Sequence, residues 1–470
     1  MKYTPIPKLL IFYVASLLLL LVSACNNDAP QIPQVEFELG PYNGQVPYIK
    51  ISTAGNAIQD DPKISAQMTV FINKEEVLTS QIGIEFRGST SFTLFPKKSY
   101  GFETWDGAGE DISIEILGLN KEEDWILYGP YSDKTFLRNV LIYELSNDIG
   151  QYAVKTKFVE LEINNGYQGT YILMEKIKRD KNRVDIKKLE PEDTDAEDIT
   201  GGYILKIDKT SGDGNPDAEY TSQLSFRSDF GVNKNTLSYA AHGPKQGEET
   251  YFLYEYPDED DITDLQKGYI KNYISDFENA LLSDIFTGAT RTYTDYIDLD
   301  SFVDFFILNE LSANPDAYRI STFLHKQRGE KLKMGPIWDF NIAFGNDSRS
   351  ASDRWVYQYN LNFPNDLWLV PFWWERLMED PLFKGAVKTR WTELKSTVFN
   401  KTNIESKMDT HISFLNENGT IERNYKRWDV LGTQLSFNSF VGATYEDEVD
   451  YVKNWITDRI NWMDSQVQGF

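Results

Sequence analysis

The spacing of apolar residues changes part of the way along this 470-residue chain, and that change limits the folds it can adopt. From Val35 to about Tyr100 the chain is rich in β-branched and alternating segments, separated by Gly, Asp or Asn, which predicts a mostly antiparallel sheet. From Asp264 the apolar residues recur at helical spacing, which predicts helices over residues 265–282, 302–312, 373–378, 382–399 and 446–466. With no internal repeat and no Pro/Ser-rich linker, we predict one α+β unit over residues 36–470, β-rich in its N-terminal half and helix-rich in its C-terminal half.

Two local signals lie between these halves. Asp133 is placed to cap a helix, because its carboxylate can accept hydrogen bonds from the first free N–H groups. Residues 158–163 then alternate, with Glu160 and Glu162 predicted to face outward, and an Asn-Gly turn leads into residues 167–174. This combination predicts a β-hairpin.

The N-terminus has the composition of an export signal. Two lysines precede an apolar run from Leu9 to Val22, which is short for a membrane span, and small residues follow it. The segment Val22-Ser23-Ala24-Cys25 resembles a bacterial lipobox, in which the cysteine is lipidated and becomes the mature N-terminus. We therefore predict a signal peptide at residues 1–24, a lipid on Cys25 and a polar tether at residues 25–35.

This N-terminus predicts a location in the cell envelope, with the lipid as the sole membrane attachment. The segment Asn26-Asn27-Asp28 resembles the surface-export signals of Bacteroidetes-type lipoproteins, which favours the outer membrane and allows surface exposure. A formal net charge of −25 argues against nucleic acid as a partner, because so acidic a surface repels polyanions.

Several chemistries lack their sequence signatures. Three widely separated histidines, with no acid or cysteine at ligand spacing, argue against a histidine-based zinc site. The chain contains no GxxxxGK[ST], GxGxxG or GxSxG motif. Standard phosphate-binding loops and the esterase nucleophile elbow are therefore absent.

Two aspartates stand at the ends of a predicted hairpin. Asn314-Pro315 interrupts helical geometry and leaves Asp316 on a loop. Residues 319–326 and 331–337 have strand character around a turn at Gly329, so the hairpin brings Asp316 and Asp339 to the same end. Such a pair suits metal-assisted phosphoryl transfer, although aspartates without function are also common at strand ends.

Eight short motifs occur in a fixed order along most of the chain after the tether. They are RGSTS (87–91), FPKKSY (95–100), DWIL (124–127), DKTFLRN (133–139), NGYQGTY (165–171), EKI (175–177), GYILKID (202–208) and PIWDF (336–340). In this order the chain resembles the CotH (spore-coat protein H) kinase-like family.

The resemblance implies a distant, atypical protein-kinase fold that binds ATP and magnesium and phosphorylates serines on partner proteins. It matches Asp316 to the acid that orients or deprotonates the attacking hydroxyl, and Asp339 to the metal-binding acid. ATP's negative charge requires local cations. The candidates for nucleotide binding are Arg87, Lys97, Lys98 and Lys176.

For Lys97 and Lys98 a solvated position at a strand edge is the alternative to nucleotide binding. Arg138 either binds phosphate or pairs with an acid inside the protein.

Two positions depart from the family pattern. Asn341 stands where the active-type motif has a second acid, and Ser321 stands where a metal-coordinating asparagine often follows the catalytic acid. Both retain an oxygen that could bind magnesium, so the predicted metal ligands are Asp339, Asn341 and Ser321. Because charge or reach is lost at each substitution, we expect weaker magnesium binding.

Two hypotheses follow. In the first, the protein is an atypical kinase that transfers phosphate from ATP and magnesium to a hydroxyl of a protein or glycan in the cell envelope. In the second, it is a catalytically weak surface lipoprotein that uses the fold to bind protein or polysaccharide. Aromatic residues that could form a stacking surface for the second task are Trp355, Tyr357, Tyr359, Trp368, Trp373 and Trp374.

Overall fold

The computed structural model describes residues 45–210 and 220–470. The predicted signal peptide, the predicted lipidation site at Cys25 and the predicted tether lie outside these ranges. Within them, no helix combines the length and the apolar character needed to cross a membrane.

The strands form a closed barrel, a second sheet and a small two-stranded ribbon. Their bounds are β1 (Tyr48–Ser52), β2 (Ile64–Ile72), β3 (Glu75–Arg87), β4 (Ser99–Trp105), β5 (Ile114–Ile116), β6 (Leu119–Glu122), β7 (Asp124–Tyr128), β8 (Thr156–Ile163), β9 (Gly166–Glu175), β10 (Tyr203–Ile207), β11 (Ser225–Arg227), β12 (Tyr251–Tyr256), β13 (Thr322–Lys326) and β14 (Leu332–Met334). The barrel has the order β1-β2-β3-β4-β7-β9-β8 and closes through a parallel pairing of β1 with β8. The second sheet is antiparallel, in the order β11-β12-β10-β13-β14.

The helices follow mainly in the second half of the chain. Their bounds are α1 (Thr90–Leu94), α2 (Arg138–Asp148), α3 (Asp264–Leu282), α4 (Leu299–Ser312), α5 (Tyr359–Asn362), α6 (Trp373–Leu377), α7 (Pro381–Ser396), α8 (Lys401–Glu417), α9 (Thr420–Arg427) and α10 (Tyr445–Val467). The predicted α+β fold, β-rich first and helix-rich second, is confirmed.

Two separate apolar cores hold these elements. Alternate residues of the barrel strands point inward and bury one cluster, which includes Met68, Phe102 and Leu161. A larger cluster, with Phe306 and Trp374 near its centre, joins the second sheet to α2 and the C-terminal helices. Burial on this scale is the main favourable term in folding.

The predicted hairpin at residues 156–175 is confirmed, but its outward glutamates are not. Glu160 and Glu162 are both buried. Helix α9 covers this face of the hairpin, and Arg423 from that helix pairs with Glu160 at 2.6 Å. Glu162 accepts a hydrogen bond from the hydroxyl of Tyr48 at 2.6 Å. The alternation of residues along a strand gives no information about a helix that is distant in sequence. Arg423 of α9 lies 263 positions after Glu160.

The helix expected after Asp133 begins five residues later, at Arg138. Phe136 adopts a left-handed backbone with φ of 67°, which prevents an earlier start. The carboxylate of Asp133 still accepts the N–H of Arg138 at 3.0 Å. The guanidinium of Arg138 pairs with Asp133 at 2.6 Å. Of the two alternatives for Arg138, the structure therefore shows the pair with an acid inside the protein.

Candidate functional site

A cavity of about 880 Å³ lies between the barrel and the second sheet. Its apolar part combines residues from β7 and β9 of the barrel with residues from β12 and β13 of the second sheet. These residues are Ile126, Met174, Leu253 and Phe323. Its polar part contains both predicted acids, Asp316 and Asp339.

Asp316 is presented by the turn that follows α4. The helix ends at Ala313, whose backbone is left-handed with φ of 43°, and the side chain of Asn314 accepts the N–H of Asp316 at 3.2 Å. Arg319 donates from Nη2 to Oδ1 of Asp316 at 2.7 Å. Within the described ranges no protein group bonds to Oδ2, so one carboxylate oxygen is fixed and the other can accept a bond from a ligand.

Arg319 is itself held rigidly. Its guanidinium donates to the carbonyls of Pro315 and Trp368, each at 2.9 Å, and lies 4.1 Å from the ring centroid of Tyr359. A fixed planar donor of this kind restricts the orientation of the carboxylate it binds. The orientation of Asp316 is therefore set by the fold before any ligand binds.

Asp339 is presented by a strained loop after β14. Its φ is 61°, a left-handed conformation that costs a non-glycine residue on the order of 1–3 kcal/mol. Helix α2 holds that conformation: Tyr143 accepts the N–H of Asp339 at 3.1 Å, and Asn139 accepts the N–H of Phe340 at 2.6 Å. Arg138 donates to the carbonyl of Ala343 at 3.0 Å. Strain maintained by so many bonds indicates a functional constraint on the carboxylate.

The acids of this cavity interact electrostatically. Burial, together with the negative charges of Asp316 and Asp208, raises the pKa of Asp339 to about 7. The positive charges of Lys209 and Arg87 act in the opposite direction. The structure thus brings Asp316 and Asp339 into one cavity and within electrostatic reach of each other.

Asp208 is an acid that the sequence reasoning did not assign to the site. It follows β10 directly and accepts hydrogen bonds from the Ser321 hydroxyl at 3.4 Å and the Lys209 N–H at 2.8 Å. Burial raises its pKa. The available signal was the GYILKID motif, which ends in this residue and was used only as a marker of resemblance.

The two residues that depart from the family pattern also line the cavity. Ser321 has a left-handed backbone with φ of 49°, and its hydroxyl is turned to Asp208. Asn341 stands two residues after Asp339 on the strained loop. Side-chain oxygens from Asp339, Asn341 and Ser321 therefore share this cavity, as a hard divalent cation would require.

Two of the four predicted nucleotide-binding cations line the cavity. Arg87 stands at the end of β3, and Lys176 follows β9. The ammonium of Lys176 is 3.4 Å from Asp124, and its side chain is 39% exposed. A loosely paired, partly exposed lysine can turn to a ligand phosphate at little cost.

Lys97 and Lys98 do not line the cavity, which corrects the expectation that they contact nucleotide. Lys97 is buried under α9, where its ammonium donates to the Thr170 carbonyl at 2.6 Å and to Asn424 at 2.9 Å. Burial lowers the pKa of Lys97 well below its usual value. Lys98 donates to the carbonyl of Phe92. Both ammonium groups donate hydrogen bonds to protein atoms. Lys97 is buried, whereas Lys98 is partly exposed next to the first residue of β4.

The proposed aromatic stacking surface is largely wrong. Trp373 and Trp374 are each 1% exposed, and Trp355 and Tyr359 are also buried in the large core. These rings pack against helices and cannot present a face to a sugar. Of the six aromatics, Trp368 lines the cavity.

One group of three acids within the described ranges brings its oxygens within 4.8 Å of one another, and it lies outside this cavity. The group consists of Glu122, Glu123 and Asp124. Lys178 contacts all three, at 2.7 Å from Glu123 and from Asp124 and at 3.1 Å from Glu122. Lys178 thus offsets part of the negative charge of this group.

A β-rich half and a helix-rich half that enclose a cavity lined by loop-borne acids define a kinase-like protein. The family model described as CotH kinase protein matches residues 84–463, a range that contains Asp208, Asp316 and Asp339. The chain therefore belongs to the CotH family. No curated protein matches it.

Proposed function

We propose that this protein is an atypical kinase that transfers a phosphoryl group from ATP to a hydroxyl of a protein or glycan in the cell envelope. The observation that carries the proposal is the presence of Asp316 and Asp339 in one cavity, each on a turn fixed by several hydrogen bonds. Phosphoryl transfer needs little more from a protein than such positioning and charge.

The residues of the cavity fit magnesium. Burial and two neighbouring carboxylates destabilise the ionised form of Asp339, and a divalent cation would relieve both effects. Asp339, Asn341 and Ser321 supply the oxygen ligands that magnesium prefers, and Asp208 offers another. When bound, magnesium neutralises phosphate charge and fixes the triphosphate.

The chain's own residues would divide the remaining tasks. The apolar wall at Ile126, Met174 and Phe323 offers a place for the nucleoside, while Arg87 and Lys176 offer charge for its phosphates. The free oxygen of Asp316 would accept the proton or the hydrogen bond of the acceptor hydroxyl.

Calorimetric titration of residues 36–470 with a non-hydrolysable ATP analogue and magnesium tests this function. We expect binding that depends on magnesium, because most cations of the cavity already pair with protein acids. The variant Asp339→Asn should weaken that binding at least about tenfold, the effect of losing one charged ligand. Asp409→Asn is the matched control, because Asp409 is an exposed acid that pairs with Lys453.

Transfer itself is then measured with radiolabelled ATP and envelope extracts as acceptors, with Asp316→Asn as the inactive comparison. If the wild type binds no nucleotide with magnesium at millimolar concentration, kinase activity must be abandoned for this protein.

A binding protein without catalysis is the second candidate. The observation in its favour is that Ser321 and Asn341 replace stronger magnesium ligands, while the Ser321 hydroxyl already bonds to Asp208. Binding of an envelope protein or polysaccharide by the wild type, without nucleotide binding, would select this candidate. The buried aromatics leave Trp368 as the member of the predicted stacking set that reaches the cavity.

We also propose that Cys25 carries a lipid that anchors the protein in the envelope, at the outer membrane. The support is the lipobox-like sequence that precedes it. A Cys25→Ser variant should move from the membrane fraction to the soluble fraction of cells, with the unchanged protein as the control. A variant that still sediments with membranes would contradict lipidation.

A further inference from the structure

Most cations that line the large cavity are neutralised by the protein. Each of four has a carboxylate within salt-bridge distance. The pairs are Lys63 with Glu85 at 3.1 Å, Lys206 with Glu255 at 3.1 Å, Arg319 with Asp316 at 2.7 Å and Arg349 with Asp347 at 3.0 Å. Such pairs have little charge left for a ligand.

Lys209 differs from these four. It follows Asp208 directly, and its ammonium lies 5.3 Å from the ring centroid of Trp368. Among the described residues, no carboxylate oxygen lies within 4.0 Å of that ammonium. A cation held over an aromatic face keeps its charge available while losing side-chain freedom.

Lys209 lines the same cavity as Asp208, Asp316 and Asp339. Its positive charge acts on Asp208 and Asp339, where it opposes the rise in pKa that burial causes. Its ammonium also lies over the ring of Trp368, whose carbonyl binds Arg319, the residue that holds Asp316. In phosphoryl transfer the reacting phosphate must lie between the metal-binding acid and the acid that receives the hydroxyl.

We propose that Lys209 binds the terminal phosphate of the nucleoside triphosphate, the group that is transferred. The inference rests on the proposed kinase function and adds Lys209 to the cations for phosphate binding, among which the sequence had offered Arg87, Lys97, Lys98 and Lys176. In this arrangement the ammonium donates to a phosphate oxygen and balances the charge that three carboxylates impose on the same space. Arg87 and Lys176, which stand on the barrel, are left for the phosphates nearer the nucleoside.

The test compares a non-hydrolysable ATP analogue with ADP, each with magnesium, by calorimetry. Lys209→Met keeps an apolar chain over Trp368 and removes the charge. We expect its affinity for the ATP analogue to fall about tenfold, the effect of one charge-assisted hydrogen bond, while its affinity for ADP changes less than about twofold. Lys209→Arg should restore most of the preference for the ATP analogue.

Lys206→Met is the matched control, because it removes the same charge from the same wall of the cavity. It should change the affinities for both nucleotides by the same factor. Equal losses for both nucleotides in Lys209→Met, or no loss, would overturn the assignment of Lys209 and leave the kinase proposal intact. A wild type that binds neither nucleotide would overturn both. Thermal denaturation of each variant shows whether it is folded.

Discussion

At the scale of single residues, Asp339 combines three costs that a structural aspartate would avoid. Its backbone is left-handed, its carboxyl group is buried, and two other acids lie within electrostatic reach. Each of these raises the free energy of the ligand-free protein. A residue that destabilises the ligand-free protein in this way is typically one selected for its chemistry.

The raised pKa of Asp339 predicts a particular pH dependence of stability. The folded-state pKa is about 7, whereas the ordinary value is 3.8, so the folded state binds the proton more tightly than the unfolded chain does. This contribution is fully present below pH 4 and is lost as pH rises through 7. Asp339→Asn removes the ionisable group, so the stabilities of the metal-free variant and the metal-free wild type should diverge as pH rises from about 4 to above 7.

At pH 8 we expect the variant to be more stable by on the order of 1–3 kcal/mol, and at pH 4 by little. Thermal denaturation in the presence of a chelator, at several pH values, measures the difference. Magnesium should reduce it, because the ionised wild type gains a ligand that the variant binds poorly. A difference that is the same at every pH would show that Asp339 does not titrate with the raised pKa.

At the scale of elements, the sequence predicted what depends on neighbours along the chain. The periods of two and 3.6 residues placed the hairpin of β8 and β9 and most long helices within a few residues of their observed bounds. The break at Asn314-Pro315 correctly predicted that Asp316 lies on a turn. Strands β13 and β14 then form the hairpin that connects Asp316 to Asp339. Local geometry and the ordered motifs therefore sufficed to predict that Asp316 and Asp339 lie in the same part of the fold, and both line the cavity.

The same reasoning failed where distant elements meet. Glu160 looks like an outward residue of a strand until α9 covers it, and Lys97 looks like a phosphate ligand until the same helix encloses it. The residues next to Lys209 in the sequence did not mark it as a site residue. What distinguishes Lys209 is its contact with Trp368, which lies 159 positions later in the chain (368 − 209). Charge pairing across a fold is decided by tertiary contacts, and one sequence does not contain them in readable form.

At the scale of the whole molecule, α9 fastens the C-terminal helices to the barrel. Arg423 and Asn424 reach Glu160 and Lys97, while Trp428, just after the helix, donates to the carbonyl of Gln168 at 2.7 Å. The contacts to Glu160 and Gln168 lie on β8 and β9, and β9 also contributes to the wall of the cavity. The relative position of the two halves, and therefore the shape of the cavity, depends on this attachment.

The pair of Arg423 and Glu160 gives the sharpest test of that attachment. Arg423→Met leaves the Glu160 carboxylate buried, with Tyr167 as its remaining hydrogen-bond partner among the described residues. Breaking a buried pair by removing one member is strongly destabilising. We expect a loss of about 2–4 kcal/mol in the free energy of unfolding, measured by chemical denaturation. Adding Glu160→Gln should recover most of this loss, because the uncompensated charge is then gone.

The double variant distinguishes the contribution of helix packing from the cost of the buried, unpaired Glu160 carboxylate. If α9 holds the halves together mainly by packing, the double variant should bind nucleotide like the wild type, since neither residue lines the cavity. Lys426→Met, which removes an exposed charge from the same helix, should change the unfolding free energy by less than about 1 kcal/mol. Equal destabilisation in the single and double variants would mean that the bidentate contact itself, and not the unpaired carboxylate, carries the energy that joins barrel and helices.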